Sequence, residues 1–272
     1  MARAGKLRGW RKIAAATWGQ ADDPQIYGDV ELDATNLLAF IAAAREAGVK
    51  LTMTHMAGKA IAYAFGENPD LNARLRRGRL IPRDSIDIFF IVSTAAGSEL
   101  SGVKVEGAEA KPVVEIAQEL ARRADRIHSG DDVELGKTKA MLDRMPLWLL
   151  KIMMRVAAWI AIDLDIHLPQ AGMPRQTFGS ALVTSVGMFG IQHAYAPLSP
   201  YYRVPYLILV GEVTDRAVVV DGEIVIRPIL NLSATMDHRY LDGFHAARLA
   251  RSVKAYCADP FAFEPAMAAD PV

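Results

Sequence analysis

The chain has 272 residues, 51% of them hydrophobic, and 31 basic side chains balance 31 acidic ones. That is enough apolar material to pack one large core or two small ones, and no net field recruits nucleic acid or an anionic surface. The single cysteine, Cys257, excludes an internal disulfide and fits a reducing compartment. The N-terminal charges have no apolar run behind them, so no secretory signal is expected and the address is cytoplasmic.

Residues 32–47 have helical periodicity, with Asp33 as the expected N-cap and Gly48 as the stop. Residues 51–66 read as a second, almost continuously apolar helix, and 86–94 as a buried strand. Arg74, Arg76, Arg77 and Arg79 cluster around Gly78, either as a solvated turn or as a grip for phosphates. An amphipathic helix is expected over 111–126, and another apolar one further on, within 144–162. Asp163, Asp165 and His167 alternate in a way compatible with a metal, but no further ligands lie nearby, which favours an exposed loop or strand edge. Residues 207–211 read as a short buried strand. Asp221-Gly222, between 217–220 and 223–226, signals a two-residue hairpin. The last helix covers 243–258 and holds Cys257, read as a buried small hydrophobe. Helices mixed with strands in this order predict an α/β fold: a two-layer sandwich of mixed sheet and packed helices. There is no P-loop, dinucleotide glycine fingerprint, H-E-x-x-H or cysteine pair, and no metal site is expected.

The stretch from Ser233 to Gly243 is the most informative. An apolar run over 224–232 feeds a polar turn holding His238, and Asp242-Gly243 opens the last helix. An imidazole at a strand end is suited to general-base chemistry near neutral pH. The same residues also fit a plain turn, with a capping Asp and a solvated His.

The run from Asp237 to Gly243 resembles the active-site signature of the acyltransferase components of 2-oxoacid dehydrogenase complexes, which share the chloramphenicol acetyltransferase fold. Residues 182–191, with Thr184 ahead of Gly187-Met-Phe-Gly190, resemble that family's second motif. Residues 9–14, with Arg11-Lys12, resemble the element that opens the catalytic domain. Residues 30–35, 59–62 and 68–72 follow in the family's order. The resemblance implies a coenzyme A-dependent acyltransferase that moves an acyl group between coenzyme A and a thiol such as dihydrolipoamide. Transfer is direct, with no covalently bound cofactor and acyl-coenzyme A as substrate. It implies His238 as general base and Thr184 as oxyanion donor. The neighbouring Ser185 stands where the family usually carries Asn, which leaves the hydroxyl open between the two. It further implies an Asp242–Arg11 ion pair that holds the catalytic turn, and a homotrimer or higher multiple with the site shared between neighbours. Arg76, Arg77 and Arg79 are the candidates for coenzyme A phosphates.

Two departures stand out. No Asp-Lys-Ala lipoylation hairpin or linker occurs, so a stand-alone catalytic domain is expected, served by a lipoyl group or other thiol in trans. An apolar helical insert occupies about 131–176, where the family has a short connection. Within it, Arg144, Lys151 and Arg155 share a stripe with Trp148 and Ala158. The insert is expected to pack on its own subunit or on an oligomeric or protein partner, with a membrane surface as the alternative. Rival readings of the whole are a non-catalytic trimeric scaffold and an acyltransferase with a non-lipoyl acceptor.

Overall fold

A computed structural model describes residues 23–94, 99–128, 146–166 and 177–265. In chain order these form β1 (Gln25–Asp33), α1 (Thr35–Glu46), α2 (Met53–Glu67), β2 (Ala73–Arg76), β3 (Arg79–Pro82), β4 (Ile88–Thr94) and β5 (Glu99–Val105). Then follow α3 (Val113–His128), α4 (Leu147–Ala158), β6 (Ala181–Ser185), β7 (Tyr206–Val210), β8 (Thr214–Val220), β9 (Glu223–Asp237), α5 (Gly243–Ala258) and a last turn, α6 (Pro260–Phe263).

β9 is the spine of a seven-stranded mixed sheet ordered β1-β9-β7-β6-β4-β5, with β8 also on β9. One edge of β9 pairs with β1, from Asp33↔Ile229 to Gln25↔Asp237. The other pairs with β7 up to Val210↔Leu232 and then with β8 from Thr214↔Ile229. The pairing slips by one residue between those two pairs, the mark of a β-bulge near Gly211. β6 lies parallel to both β4 and β7. The expected hairpin is present, with Asp221 and Gly222 both at positive φ (52° and 86°), as a type I′ turn requires.

Strand alternation divides the two faces. Leu230, Leu232 and Met236 of β9 and Tyr206, Ile208 and Val210 of β7 join α1, α2, α3 and α5 in the main core. Leu182, Leu207 and Leu209 face the other way, into a smaller cluster with Val204, Phe178 and Leu198. The result is the expected two-layer α/β architecture.

Polar pins set the helices on the sheet. Lys59 is buried, and its ammonium donates to the carbonyls of Ala108, Glu109 and Lys111 at 3.3, 2.8 and 2.7 Å. After α2, Asn68 donates to Ser252 Oγ (3.1 Å), Arg248 clasps Asp70 (2.8 and 2.9 Å), and Asn72 donates to the Ser85 carbonyl (2.9 Å). The spacing of 68–72 is therefore a joint between α2 and α5. α1 begins at Thr35 with Ala34 as cap residue; Asp33, one position earlier than a cap, accepts from the Thr35 N–H at 2.9 Å.

Two expectations change at the insert. Asp163 and Asp165 are not an exposed loop. Arg203 pairs with Asp163 at 2.8 Å, while Arg74 grips Asp165 through both carboxylate oxygens and Arg76 adds a third contact. Nor does α4 bury its apolar face on its own subunit: Trp148, Ile152 and Val156 are 64, 51 and 47% exposed.

Candidate active site

The turn after β9 is held from several directions. Asp237 is buried and makes an ion pair with Arg239 (2.6 Å), the His238 N–H donates to the Pro24 carbonyl (2.8 Å), and Leu241 is buried in the core. Tyr240 Oη accepts from the Leu75 N–H at 2.9 Å, tying the turn to the β2–β3 hairpin. These fixed neighbours leave the His238 side chain exposed, and its imidazole makes no hydrogen bond among the described residues.

Asp242 is the N-cap of α5. Its carboxylate accepts from the N–H groups of Phe244 (3.0 Å) and His245 (3.2 Å), and His245 Nδ1 lies 2.7 Å from the same carboxylate, at capping-box spacing. Hydrogen bonds from the His245 backbone and ring hold this carboxyl below the usual range. Arg11, its expected partner, lies outside the described residues. His245, which sequence reasoning left without a role, is the partner the structure supplies; its spacing three residues after Asp242 was the available signal.

Thr184 and Ser185 end β6 on opposite faces. Thr184 is level with Leu209 and, beyond it, Ser233, on the face away from the helices. Its hydroxyl is half-buried and has no hydrogen-bond partner among the described residues. Ser185 points to the helical side and donates weakly, at 3.5 Å, to the Val210 carbonyl. The geometry thus favours Thr184 as the available hydroxyl. The turn after it is tight for a reason: a Cβ on Gly187 would come within 2.5 Å of the Gly211 carbonyl oxygen. Gly187 is required by close backbone approach.

Within one chain the two candidate groups do not meet. His238 lies five residues beyond Ser233 and Thr184 lies two strands across from it. At about 3.3 Å per residue and about 4.8 Å per strand, they are roughly 15–20 Å apart.

Of the arginine candidates, Arg76 is already bound to Asp165 (3.0 Å) and to the Asp163 carbonyl (3.0 Å). Arg77, at φ 48°, and Arg79 flank the exposed tip of the hairpin. Sequence reasoning also passed over a polar stripe on β9. Asn231, Ser233, Thr235 and Asp237 are buried on the face shared with Thr184, and Asn231 Oδ1 and Thr235 Oγ1 find no partner among the described residues. His193 borders the stripe, 2.7 Å from the Asn231 amide and 4.0 Å from Asp29. Every second residue of an otherwise apolar strand being polar was the readable signal. An apolar cavity of about 240 Å³ lies between α2, α5 and the sheet, lined by residues such as Ile61, Phe65, Ile208 and Met236. Neither His238 nor Thr184 lines it. Cys257 is buried, and burial pushes its thiol up to about 12, which removes it from nucleophilic chemistry.

The profile of the family described as 2-oxoacid dehydrogenases acyltransferase (catalytic domain) matches residues 2–132 and 172–263. The chain belongs to that family. The match passes over 133–171, the stretch that contains α4. Among relatives of this acyltransferase family, the acetyltransferase component of the acetoin cleaving system of Bacillus subtilis is 24% identical over 94% of this chain and 55% of its own length. The acetyltransferase component of the same organism's pyruvate dehydrogenase complex is 27% identical over 94% and 50%. The chain therefore spans about half the length of these curated relatives. Among solved structures, a probable dihydrolipoamide acetyltransferase from Listeria monocytogenes superposes with a TM-score of 0.65 at 24% identity, covering 94% of both chains. The cubic core of a pyruvate dehydrogenase multienzyme complex gives 0.64 at 25% identity, over 89% and 84%. An Azotobacter vinelandii dihydrolipoamide acetyltransferase, whose catalytic mechanism has been probed at a serine, a histidine and an asparagine, gives 0.63 at 24%, over the same shares.

Proposed function

We propose that this chain is a coenzyme A-dependent acyltransferase that moves an acyl group between coenzyme A and a thiol such as dihydrolipoamide. Family membership supports the reaction class. The observation that carries the residue assignment is the pair of unengaged groups, the His238 imidazole and the Thr184 hydroxyl, each on a rigidly held strand end. His238 takes the proton of the attacking thiol, and the sulfur adds to the thioester carbonyl. The oxyanion that forms accepts a hydrogen bond from Thr184 Oγ. The intermediate collapses with cleavage of the original C–S bond, and His238 returns the proton to the departing thiolate. No covalent enzyme intermediate is needed.

Their separation within one chain supports a site built between subunits of a homotrimer, with His238 from one copy and Thr184 from the next. The β8–β9 hairpin supports assembly as well, since Val219, Ile224 and Ile226 are 71, 80 and 75% exposed on a projecting ribbon. Asp242 keeps the catalytic turn in shape as the cap of α5, joined in this reading by Arg11. The acyl donor is acyl-coenzyme A, and the acceptor is a thiol such as that of a dihydrolipoyl group.

The test follows release of coenzyme A from acetyl-, isobutyryl- and succinyl-coenzyme A in the presence of dihydrolipoamide and other small thiols. Release with at least one pair, abolished in His238→Ala, is expected. Undiminished turnover by that variant would remove His238 from the mechanism, and release with none of the pairs would favour a scaffold.

A further inference from the structure

The apolar helix α4 carries two kinds of exposed surface and very little else. With successive residues about 100° apart, Trp148, Trp159, Ile152, Val156, Leu149 and Met153 follow one another around an arc of about 140°. All six are exposed, from 37% for Met153 to 64% for Trp148. The half-buried side chains Met154, Ala157 and Ala158 lie on the opposite side. Lys151 and Arg155 stand between the two, on the edge next to Trp148, exposed and without an acidic partner among the described residues. The acids that follow the helix, Asp163 and Asp165, are paired with Arg203, Arg74 and Arg76. Every free charge on the helix is therefore positive.

From this we infer that α4 docks in the plane of an anionic lipid surface, burying its tryptophan-bearing face at the headgroup boundary with Lys151 and Arg155 among the phosphates. α4 and the π-helical turn that continues it from Trp159 to Asp163 rise only about 25 Å, short of the roughly 30 Å hydrocarbon core, and no described helix is long and apolar enough to cross it. The pattern is that of an interfacial helix: a wide apolar face, aromatic residues at both ends, and basic side chains on the flank. A protein partner fits less well. Specific protein interfaces carry about one hydrogen bond per 100–200 Å². From 147 to 162 the only side-chain hydrogen-bonding groups are the two cations and the indole N–H groups of Trp148 and Trp159, with no acceptor among them, so the helix has little with which to specify such a partner. Self-pairing of α4 across a two-fold axis fits poorly too, because it would oppose Lys151 and Arg155 to their own copies with no acid between them. The balanced net charge of the chain does not argue against this. The attraction is local, and falls off within a Debye length of the surface.

The test is flotation of the full-length protein with vesicles of equal parts phosphatidylglycerol and phosphatidylcholine, against phosphatidylcholine alone. Partition at least about tenfold stronger to the anionic vesicles, weakened by salt, is expected. Lys151→Glu/Arg155→Glu should remove that preference, and Trp148→Ser/Ile152→Ser/Trp159→Ser should remove binding. Both variants should keep the sedimentation coefficient and circular dichroism of the parent. Quenching of tryptophan fluorescence by brominated lipid, absent in the triple variant, would place the face itself in the bilayer. No partition to anionic vesicles would overturn the inference, as would equal partition by the charge-reversed variant. Loss of oligomers in the triple variant, with the parent ignoring vesicles, would assign the face to contacts between copies instead.

Discussion

Thr184 lies level with Ser233 of β9, while His238 sits five residues further along, in the turn just beyond that strand's end. A base and an oxyanion donor must both reach one reacting carbonyl, within about 3 Å each. Roughly 15–20 Å of sheet between them forbids this within a chain. Two defective proteins should therefore repair each other. Inactive His238→Ala and Thr184→Ala proteins, mixed in equal amounts under subunit exchange, are expected to recover up to about a quarter of wild-type activity if the site is shared between copies, since each hybrid site then draws its two halves independently. Recovery should follow the kinetics of exchange. A mixture that stays silent while exchange is shown by mass spectrometry would contradict the shared site.

Gly187 fixes where the Thr184 hydroxyl stands. Its missing Cβ lets the turn after β6 approach Gly211, just past the end of β7, and an alanine methyl would meet that carbonyl oxygen at 2.5 Å. The backbone must then shift, and Thr184 with it. Thr184→Ala is expected to lose about 10²–10³ in kcat, as for removal of one oxyanion donor. Gly187→Ala should lose at least about tenfold while retaining its hydroxyl. Ser185→Ala should stay close to wild type, because that hydroxyl only touches the Val210 carbonyl. A large kcat loss confined to Ser185→Ala would move the donor role one residue along.

The core elements were legible because their signals are local. Apolar periodicity marks α2 and α3, the Asp221-Gly222 pair marks the β8–β9 turn, and the run from Asp237 to Gly243 marks the strand-to-helix turn. What escaped depends on contacts far apart in sequence. β1 interleaves Tyr27, Asp29 and Glu31 with Ile26, Val30 and Leu32, and it becomes recognisable as a strand only once paired with β9. Arg74 and Arg76 look like a phosphate grip until Asp165, some ninety residues away, is seen between them. Asp163 and Asp165 look like a loose loop for the same reason. His245 was readable at capping-box spacing, but the reading of Asp242 as a partner for Arg11 hid it.

His55 gives stability a pH dependence of known sign. Its Nδ1 accepts from the Thr52 N–H at 3.3 Å, closing a capping box that needs an unprotonated ring. Burial lowers its pKa from 6.5 to about 4. Between those values the unfolded chain binds a proton that the folded one refuses, so stability present above about pH 6.5 is lost as pH falls towards 4. The loss should reach about 2 kcal/mol between pH 7 and 4.5. His55→Gln keeps an acceptor at the cap but does not titrate. Urea unfolding of both proteins at the two pH values should show the variant losing less stability by about that amount. Equal losses would mean that the ring accepts a proton freely in the folded state.

The anchor of the insert can be cut at one residue. Asp165 takes both nitrogens of the Arg74 fork at 2.6 and 3.0 Å and Arg76 at 3.0 Å, in a setting where the Arg74 side chain is only 12% exposed. Fork geometry and partial burial make this stronger than an ordinary surface pair. Asp165→Asn keeps the shape and removes the charge, leaving two guanidinium groups facing a neutral amide. A cost of about 1.5–3 kcal/mol is expected, the range for hydrogen bonds to charged groups. That cost should fall mainly on the insert, because Asp165 joins the end of α4 to the β2–β3 hairpin. Amide exchange should accelerate over 147–166 and over Arg74–Arg76, with the rates of β7 and β9 unchanged. Arg74→Lys, which has a point charge and no fork, should give a smaller change of the same kind. Unchanged exchange over 147–166 in Asp165→Asn would show that the insert is held elsewhere. Exchange accelerated throughout the sheet would show instead that the clasp supports the whole domain.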